Sequence, residues 1–316
     1  MNPVSLFRVL IIAAAAAALP SAAGAAGEAK HPHPPVIEKD GEVVQRGWTF
    51  TGVTGHFDKQ TLQRGFKVYR EVCAACHSLD YMAFRSLARP GGPFDVEKCY
   101  AQDPANPELK TTDPVLNKCV KAIAAEFQIP AGPDEFGSMV DEQGNPLTEP
   151  AKPSDKIPGP YKNEKEAAAA NNGKVPPNLS LMTEARHNGA DYLYSLITGY
   201  PDTLPQGLKP PAGLYYNPYF PGDVSVGFEG DKEDMPPGGF IAMAPPLVTD
   251  GQVVYDDGTE ATIEQMAYDV TTFLQWAAEP KMEARKETGL AVMGYLAVLA
   301  ILLYWSYRRV WRNVEH

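Results

Sequence analysis

Cysteine is almost missing from this chain, with four in 316 residues, and so few cannot staple a disulfide-framework scaffold. Positive charge is also scarce. With 28 Lys and Arg against 39 Asp and Glu, the net charge of −11 has the wrong sign for a nucleic-acid binder, while a basic protein partner stays allowed. Sustained apolar periodicity is lacking over residues 90–178 and 201–246, and there is no internal repeat. Proline, in contrast, is abundant: 30 residues, near twice the ordinary share of roughly 5%, so much of the fold must be loop. An apolar content of 44% still provides a core, which excludes a wholly disordered chain.

Long apolar runs are confined to the two ends. Residues 1–26 carry Arg8, an apolar stretch from Val9 to Leu19 and small residues from Pro20 to Ala26. This is the pattern of a secretory signal peptide, with cleavage near Ala25 or Ala26. Residues 288–307 hold no charge and as a helix would rise about 30 Å, the thickness of a bilayer's hydrocarbon core. Tyr304, Trp305, Tyr307 and Trp311 add an interfacial aromatic belt, and we expect a transmembrane helix here. Lys281, Arg285 and Lys286 before it match Arg308, Arg309 and Arg312 after it, so the positive-inside count is a tie. Export of the N-terminal side decides the orientation. The expected order is a signal peptide (1–26), an exported domain (27–287), the membrane helix (288–307) and a cytoplasmic tail (308–316). With Arg8, Arg308, Arg309, Arg312 and Glu315 set aside, the exported domain carries 24 basic and 38 acidic residues, net −14.

Within that domain, residues 27–57 read as an extended arm rich in Pro and Gly. A helix follows from Asp58, with Leu62, Phe66, Tyr69 and Val72 or Cys73 on one face and Asp58 or Thr61 as cap. Short helices are expected near 114–127 and 164–170, and another from Asp191 to Thr198. Thr262 to Gln265 forms a capping box that opens a strong amphipathic helix reaching Pro280. Two good helices separated by such long loops imply that something other than side chains fills the middle.

The first helix runs into Cys73-x-x-Cys76-His77, the c-type haem attachment signature. Two thiols three apart can form thioethers to the haem vinyl groups, and the adjacent histidine is placed to ligate iron. A redox dithiol expects a βαβ context and zinc expects a second ligand pair, and neither is found. One motif means one haem. A methionine opposite the histidine would raise the potential and close the sixth position to oxygen or peroxide. The candidates include Met82, Met139, Met182, Met235 and Met243, each with core packing as the alternative. Met82 is too near His77 to cross the ring, and Met139 lies in a charged loop. Met243 sits in an apolar, Pro-stiffened segment and ranks ahead of Met235, with His56 and His187 behind.

The helix-one segment Gly65-Phe66-x-Val68-Tyr69-x-x-Val72 leads into the haem motif. Five further segments follow it: Asn171-Asn172-Gly173-x-x-Pro176-Pro177-x-Leu179-Ser180, Arg186-His187-x-Gly189-x-Asp191-Tyr192, Tyr216-Asn217-Pro218-Tyr219-Phe220-Pro221, Met243-Ala-Pro-Pro and Tyr255-Asp256-Asp257-Gly258-Thr259. Phe273-Leu-x-Trp276-Ala-Ala-Glu279-Pro280 closes the series. Together they resemble the cytochrome c1 family of the cytochrome bc1 complex over most of residues 45–310. The resemblance implies a mainly α chain, a class I cytochrome c fold with long loops and a C-terminal transmembrane helix, carrying one covalently bound haem c. It implies His77 and Met243 as iron ligands, Arg186 at a haem propionate, and Asn171, Pro177, Tyr192 and Ile241 around the pocket. A guanidinium does pair well with a carboxylate at a partly buried edge. It also implies an electron relay, no enzyme by itself, from a Rieske iron-sulfur protein to a soluble or membrane-bound cytochrome c. The chain would stand beside cytochrome b in a bacterial inner membrane, with its haem domain in the periplasm. Rival readings are a membrane-tethered carrier serving an oxidase and a haem peroxidase or nitrite reductase with an open iron position. Asn178 departs from the family pattern, where an acid is frequent, and residues 99–160 are longer than the compact pattern.

Two further expectations concern the remaining groups. Haem consumes two of the four cysteines, and an oxidising compartment favours joining Cys99 to Cys119. Glu229, Asp231, Glu233 and Asp234 form an acidic cluster just ahead of Met243, a candidate docking site for a basic cytochrome c. Its alternative is a solvated face diluted by Lys232.

Overall fold

The computed structural model describes residues 29–39, 42–100, 112–141 and 143–313. The expected signal peptide and the end of the expected tail, residues 314–316, lie outside them.

The N-terminal arm holds more structure than its composition predicts. Val36–Lys39 (β1) and Glu42–Arg46 (β2) pair antiparallel, and the following turn carries Trp48 and Phe50 into the core. The Trp48 ring stacks on Phe50 and on Tyr268, each at 5.2 Å between centroids, and its indole N–H donates to Asp191 at 2.5 Å. Strands of four and five residues are too short to display a period of two against so many Pro and Gly.

Helix α1 (Lys59–Glu71) begins where the Asp58 carboxylate accepts from the Thr61 N–H at 2.8 Å, and its buried face includes Leu62, Gly65, Phe66 and Tyr69. After the haem motif comes β3 (Leu79–Ala83). Helix α2 (Lys118–Ala125) is capped by the buried Asn117 and tied back by a disulfide between Cys99 and Cys119, with Cα atoms 5.2 Å apart. Within residues 99–160, β4 (Gln128–Pro130) and β5 (Thr148–Pro150) pair antiparallel. Strand β6 (Lys156–Ile157) returns to pair with β3. Helices α3 (Glu164–Ala170) and α4 (Gly189–Thr198) follow. A last antiparallel pair joins β7 (Tyr215–Asn217) to β8 (Gly239–Ile241), with Tyr215 opposite Ile241. The Thr262 hydroxyl caps α5 (Ile263–Ala278) by accepting from the Gln265 N–H at 3.1 Å. Among the described residues the sheets are all two-stranded, and helices supply the framework.

The two strong helices pack directly on each other. Gly65 makes this possible, since a Cβ there would lie 2.0 Å from the Asp269 carbonyl oxygen and 2.7 Å from Phe273 Cβ. Phe66 meets Phe273 edge-on at 5.5 Å. Beside this crossing the Arg64 guanidinium donates to both carboxylate oxygens of Asp269, at 2.8 and 3.1 Å, and to Asp257 at 2.7 Å. Asp269 is fully buried, and burial pushes its carboxyl up to about 6 against the lowering effect of Arg64.

Helix α6 (Met282–Val310) starts six residues before the expected span. Met282 is buried, whereas the large side chains from Leu290 to Trp311 are predominantly exposed, and the helix is long and apolar enough to cross a membrane. Its first turns are fastened to the domain. The Phe57 N–H donates to Glu283 at 2.6 Å, and Lys286 donates to the Phe50 and Gly55 carbonyls at 2.6 and 3.2 Å.

Candidate haem-attachment site

The Cys-x-x-Cys-His segment closes on itself immediately after α1. A 3-10 turn at Cys73–Ala75 brings the Cys76 and His77 N–H groups to the Cys73 carbonyl at 3.1 and 2.9 Å, so both thiols and the imidazole issue from one tight turn. Neither cysteine is in a disulfide. Cys73 packs against the core and Cys76 is exposed. Burial, with Cys76 beside it, pushes the Cys73 thiol up to about 12.

His77 is set by the Pro176-Pro177 segment. Its Nδ1 donates to the Pro177 carbonyl at 2.8 Å, and since a carbonyl can only accept, the proton belongs on Nδ1 and the Nε2 lone pair is left for a metal. Burial lowers the His77 pKa, the Pro177 bond opposing it, which favours the neutral, ligating form. Leu179 N–H donates to Ser78 at 2.9 Å and Tyr81 N–H to the Ser180 hydroxyl at 3.2 Å, lacing the two segments together. Asn178 donates to Asp80 and accepts from the Ser180 N–H at 2.8 Å. An amide suffices for that turn.

The methionine candidates separate by environment. Met82 and Met182 are buried in the main core, Met235 packs on a small second cluster around Leu208, Tyr216 and Val224, and Met139 is exposed. Met243 is half-buried and belongs to neither cluster, as does Ile241, opposite Tyr215 on β8. His56 and His187 are exposed. Arg186, also exposed, donates to the Ala185 carbonyl at 3.1 Å, and its positive charge opposes the rise that burial causes in the Tyr192 phenol pKa. Asn171 turns to its own helix, donating to the Tyr161 hydroxyl at 2.9 Å and the Ala167 carbonyl at 2.7 Å.

One contact at this site has no sequence signal. The Tyr200 hydroxyl, just past the end of α4, donates to the Met243 carbonyl at 2.9 Å. The separation of 43 residues hides the pair. Burial, with Tyr192 and Tyr215 adjacent, raises the Tyr200 phenol above its ordinary value, so it remains a donor at physiological pH.

The donor set fits a c-type haem: two unpaired thiols, and an imidazole whose distal nitrogen is free and whose other nitrogen is fixed. Glu229 pairs with Lys209 at 2.8 Å, both well exposed, while Asp231, Glu233 and Asp234 stand exposed around the Lys232–Asp234 turn.

Comparison with known proteins gives a consistent picture. Residues 48–314 match the Cytochrome C1 family. The chain is similar to a mitochondrial cytochrome c1 heme protein of Saccharomyces cerevisiae, 43% identical over 268 residues that cover 85% of this chain and 72% of the relative. It is 39% identical to cytochrome c1 of Rhodospirillum rubrum over 274 residues, covering 86% of this chain and 88% of that one. A protein of Bradyrhizobium diazoefficiens named cytochrome b/c1 is 39% identical over 285 residues, 84% of this chain and 35% of the longer relative.

Proposed function

The chain belongs to the cytochrome c1 family, and from that premise we propose that it is the membrane-anchored monohaem subunit of a bacterial bc1-type quinol:cytochrome c oxidoreductase. The observation that carries the reading is the Cys73–His77 turn with His77 Nδ1 on the Pro177 carbonyl. Covalently bound haem c supplies a one-electron Fe(III)/Fe(II) couple. Cys73 and Cys76 would hold it as thioethers, and His77, through Nε2, and Met243 would be its iron ligands. Arg186 would pair with a propionate, and Pro177, Tyr192 and Ile241 with Asn171 would border the pocket of a class I cytochrome c fold. With His77 and Met243 both holding the iron, the chain would relay electrons and break no substrate bond.

Its electron comes from a Rieske iron-sulfur protein and leaves to a cytochrome c. Cytochrome b is the neighbour in the membrane, in keeping with a relative whose name joins b and c1. Helix α6 spans the inner membrane, the haem domain faces the periplasm and the tail from residue 308 faces the cytoplasm. The apolar span is free of charge, which argues against a proton path within it.

The decisive experiment is gentle solubilisation of the native membrane followed by haem staining and subunit analysis. We expect this chain to co-purify with a di-haem cytochrome b and an iron-sulfur protein. Isolation alone, or with an oxidase and without those two, would replace the proposal with that of a tethered carrier.

A further inference from the structure

Met243 lies two residues past the end of β8, where the ladder with β7 has stopped. The next residues are Ala244, Pro245 and Pro246, and the two prolines have no N–H to donate. Beyond them the chain is fastened again, the Gln252 side chain donating to the Pro246 carbonyl and accepting from the Val248 N–H, both at 2.9 Å. Among the described residues, the Tyr200 hydroxyl on the Met243 carbonyl, at 2.9 Å, is the one hydrogen bond made by the backbone of residues 243–245.

The donor is itself rigidly delivered. Tyr200 follows Gly199, the C-terminal cap of α4, whose Tyr192–Ile197 stretch is buried throughout. Gly199 admits no side chain, since a Cβ there would lie 2.4 Å from both the Ser195 carbonyl oxygen and the Tyr219 ring. That ring therefore packs against the backbone that presents Tyr200. The Asn217 amide, at the end of β7, donates to the Leu196 carbonyl at 2.8 Å. The β7–β8 ladder and α4 are in this way tied to each other before either reaches Met243.

We infer that Tyr200 is a positioning residue which pins the Met243 segment and so keeps the methionine sulfur in place as a ligand. The inference rests on Met243 being that ligand, as proposed above. The bond is made to the backbone of Met243 itself, so losing it frees the ligand residue without removing any sulfur. A neutral hydrogen bond of ordinary net strength corresponds to a roughly five-fold change in an equilibrium, and the ratio of ligated to detached Met243 should move by about that factor.

The test uses the full-length, haem-loaded chain in its membrane complex and compares Tyr200→Phe with Met243→Leu and Tyr215→Phe. Readouts are carbon monoxide binding to the reduced protein, the near-infrared methionine-to-iron charge-transfer band of the oxidised protein and the reduction potential. Tyr200→Phe should bind carbon monoxide roughly five-fold more readily, weaken the band and lower the potential. Met243→Leu should abolish the band and bind carbon monoxide freely, and Tyr215→Phe should resemble wild type. Wild-type behaviour of Tyr200→Phe beside an affected Met243→Leu would overturn the role of Tyr200 and leave the ligand standing. The same shift in Tyr215→Phe as in Tyr200→Phe would overturn it too, by showing general loosening of the tyrosine cluster. A Met243→Leu protein with wild-type band and carbon monoxide response would overturn the ligand assignment itself.

Discussion

Arg64 and Asp269 show how one side-chain pair joins distant parts of the chain. Asp269 has no exposed surface and takes two guanidinium bonds and one from the Gln265 amide at 3.0 Å. Removing one partner of a buried pair leaves a charge without compensation, at a cost of about 3–5 kcal/mol. Arg64→Met should therefore lower unfolding stability by that order, and the double variant Arg64→Met with Asp269→Leu should recover most of it, both read by chemical denaturation of the solubilised protein. A double variant as unstable as the single one would show that packing, not charge, is at issue. The carboxyl also carries a pH signature. Its folded value of about 6 lies above the unfolded value near 3.9, so its stabilising contribution is present below about pH 4 and lost as pH rises through about 6. Between those limits the stability of wild type relative to Asp269→Asn should fall with rising pH in thermal melts. Parallel pH profiles would refute the assignment.

At the scale of elements, the crossing of α1 and α5 and the fastening of α2 set the frame around the haem turn. Gly65 meets the Asp269 backbone where a Cβ has no room, and backbone cannot swing aside as a side-chain tip can. Gly65→Ala should separate the helices at a cost of about 1–3 kcal/mol, seen as a lowered melting temperature and lower yield of haem-loaded protein. Unchanged melting would mean the helices slide without penalty. The Cys99–Cys119 bridge spans a sequence separation of 20, and in the chain-entropy model a loop of that size contributes roughly 3 kcal/mol. Replacing both cysteines by Ser should lose stability of that order, measured against the wild type without reductant. A loss confined to the single variants would point instead to a harmful free thiol.

For the molecule as a whole, the net charge of −14 on residues 27–287 favours encounter with a basic electron acceptor. Glu229 already shares its charge with Lys209, which leaves Asp231, Glu233 and Asp234 as the freer part of the acidic turn. Screening shortens from about 10 Å at 0.1 M salt to about 3 Å at 1 M, so the second-order rate of electron transfer to a basic cytochrome c should fall steeply with ionic strength. Changing Glu229, Asp231, Glu233 and Asp234 to Gln or Asn should flatten that dependence. Equal slopes in variant and wild type would move docking to another acidic face. Helix α6 is joined to the domain through Glu283 and Lys286, so its first turns are fixed to the domain.

Features carried by adjacent residues were legible in the sequence alone. The haem turn and the Thr262 cap depend on spacings of a few residues, and local sterics and hydrogen bonding realise them wherever the chain goes, whereas the choice of Asp58 over Thr61 as the α1 cap came with the structure. Cys99 and Cys119 were legible for a different reason, since once the haem motif takes its two thiols a single pairing remains. Other features were settled by tertiary structure. Trp48 finds its place between the Phe50 and Tyr268 rings, and the strands that pair within residues 128–150 are three residues long and hold no period of their own. Asn171 bonds to its own helix, a choice that its motif does not reveal. Tyr200 reaches Met243 because α4 and the β7–β8 ladder converge across 43 positions. Local pattern encodes which chemistry a segment can perform, but a contact between distant segments exists only after the core has closed and fixed the distance between them.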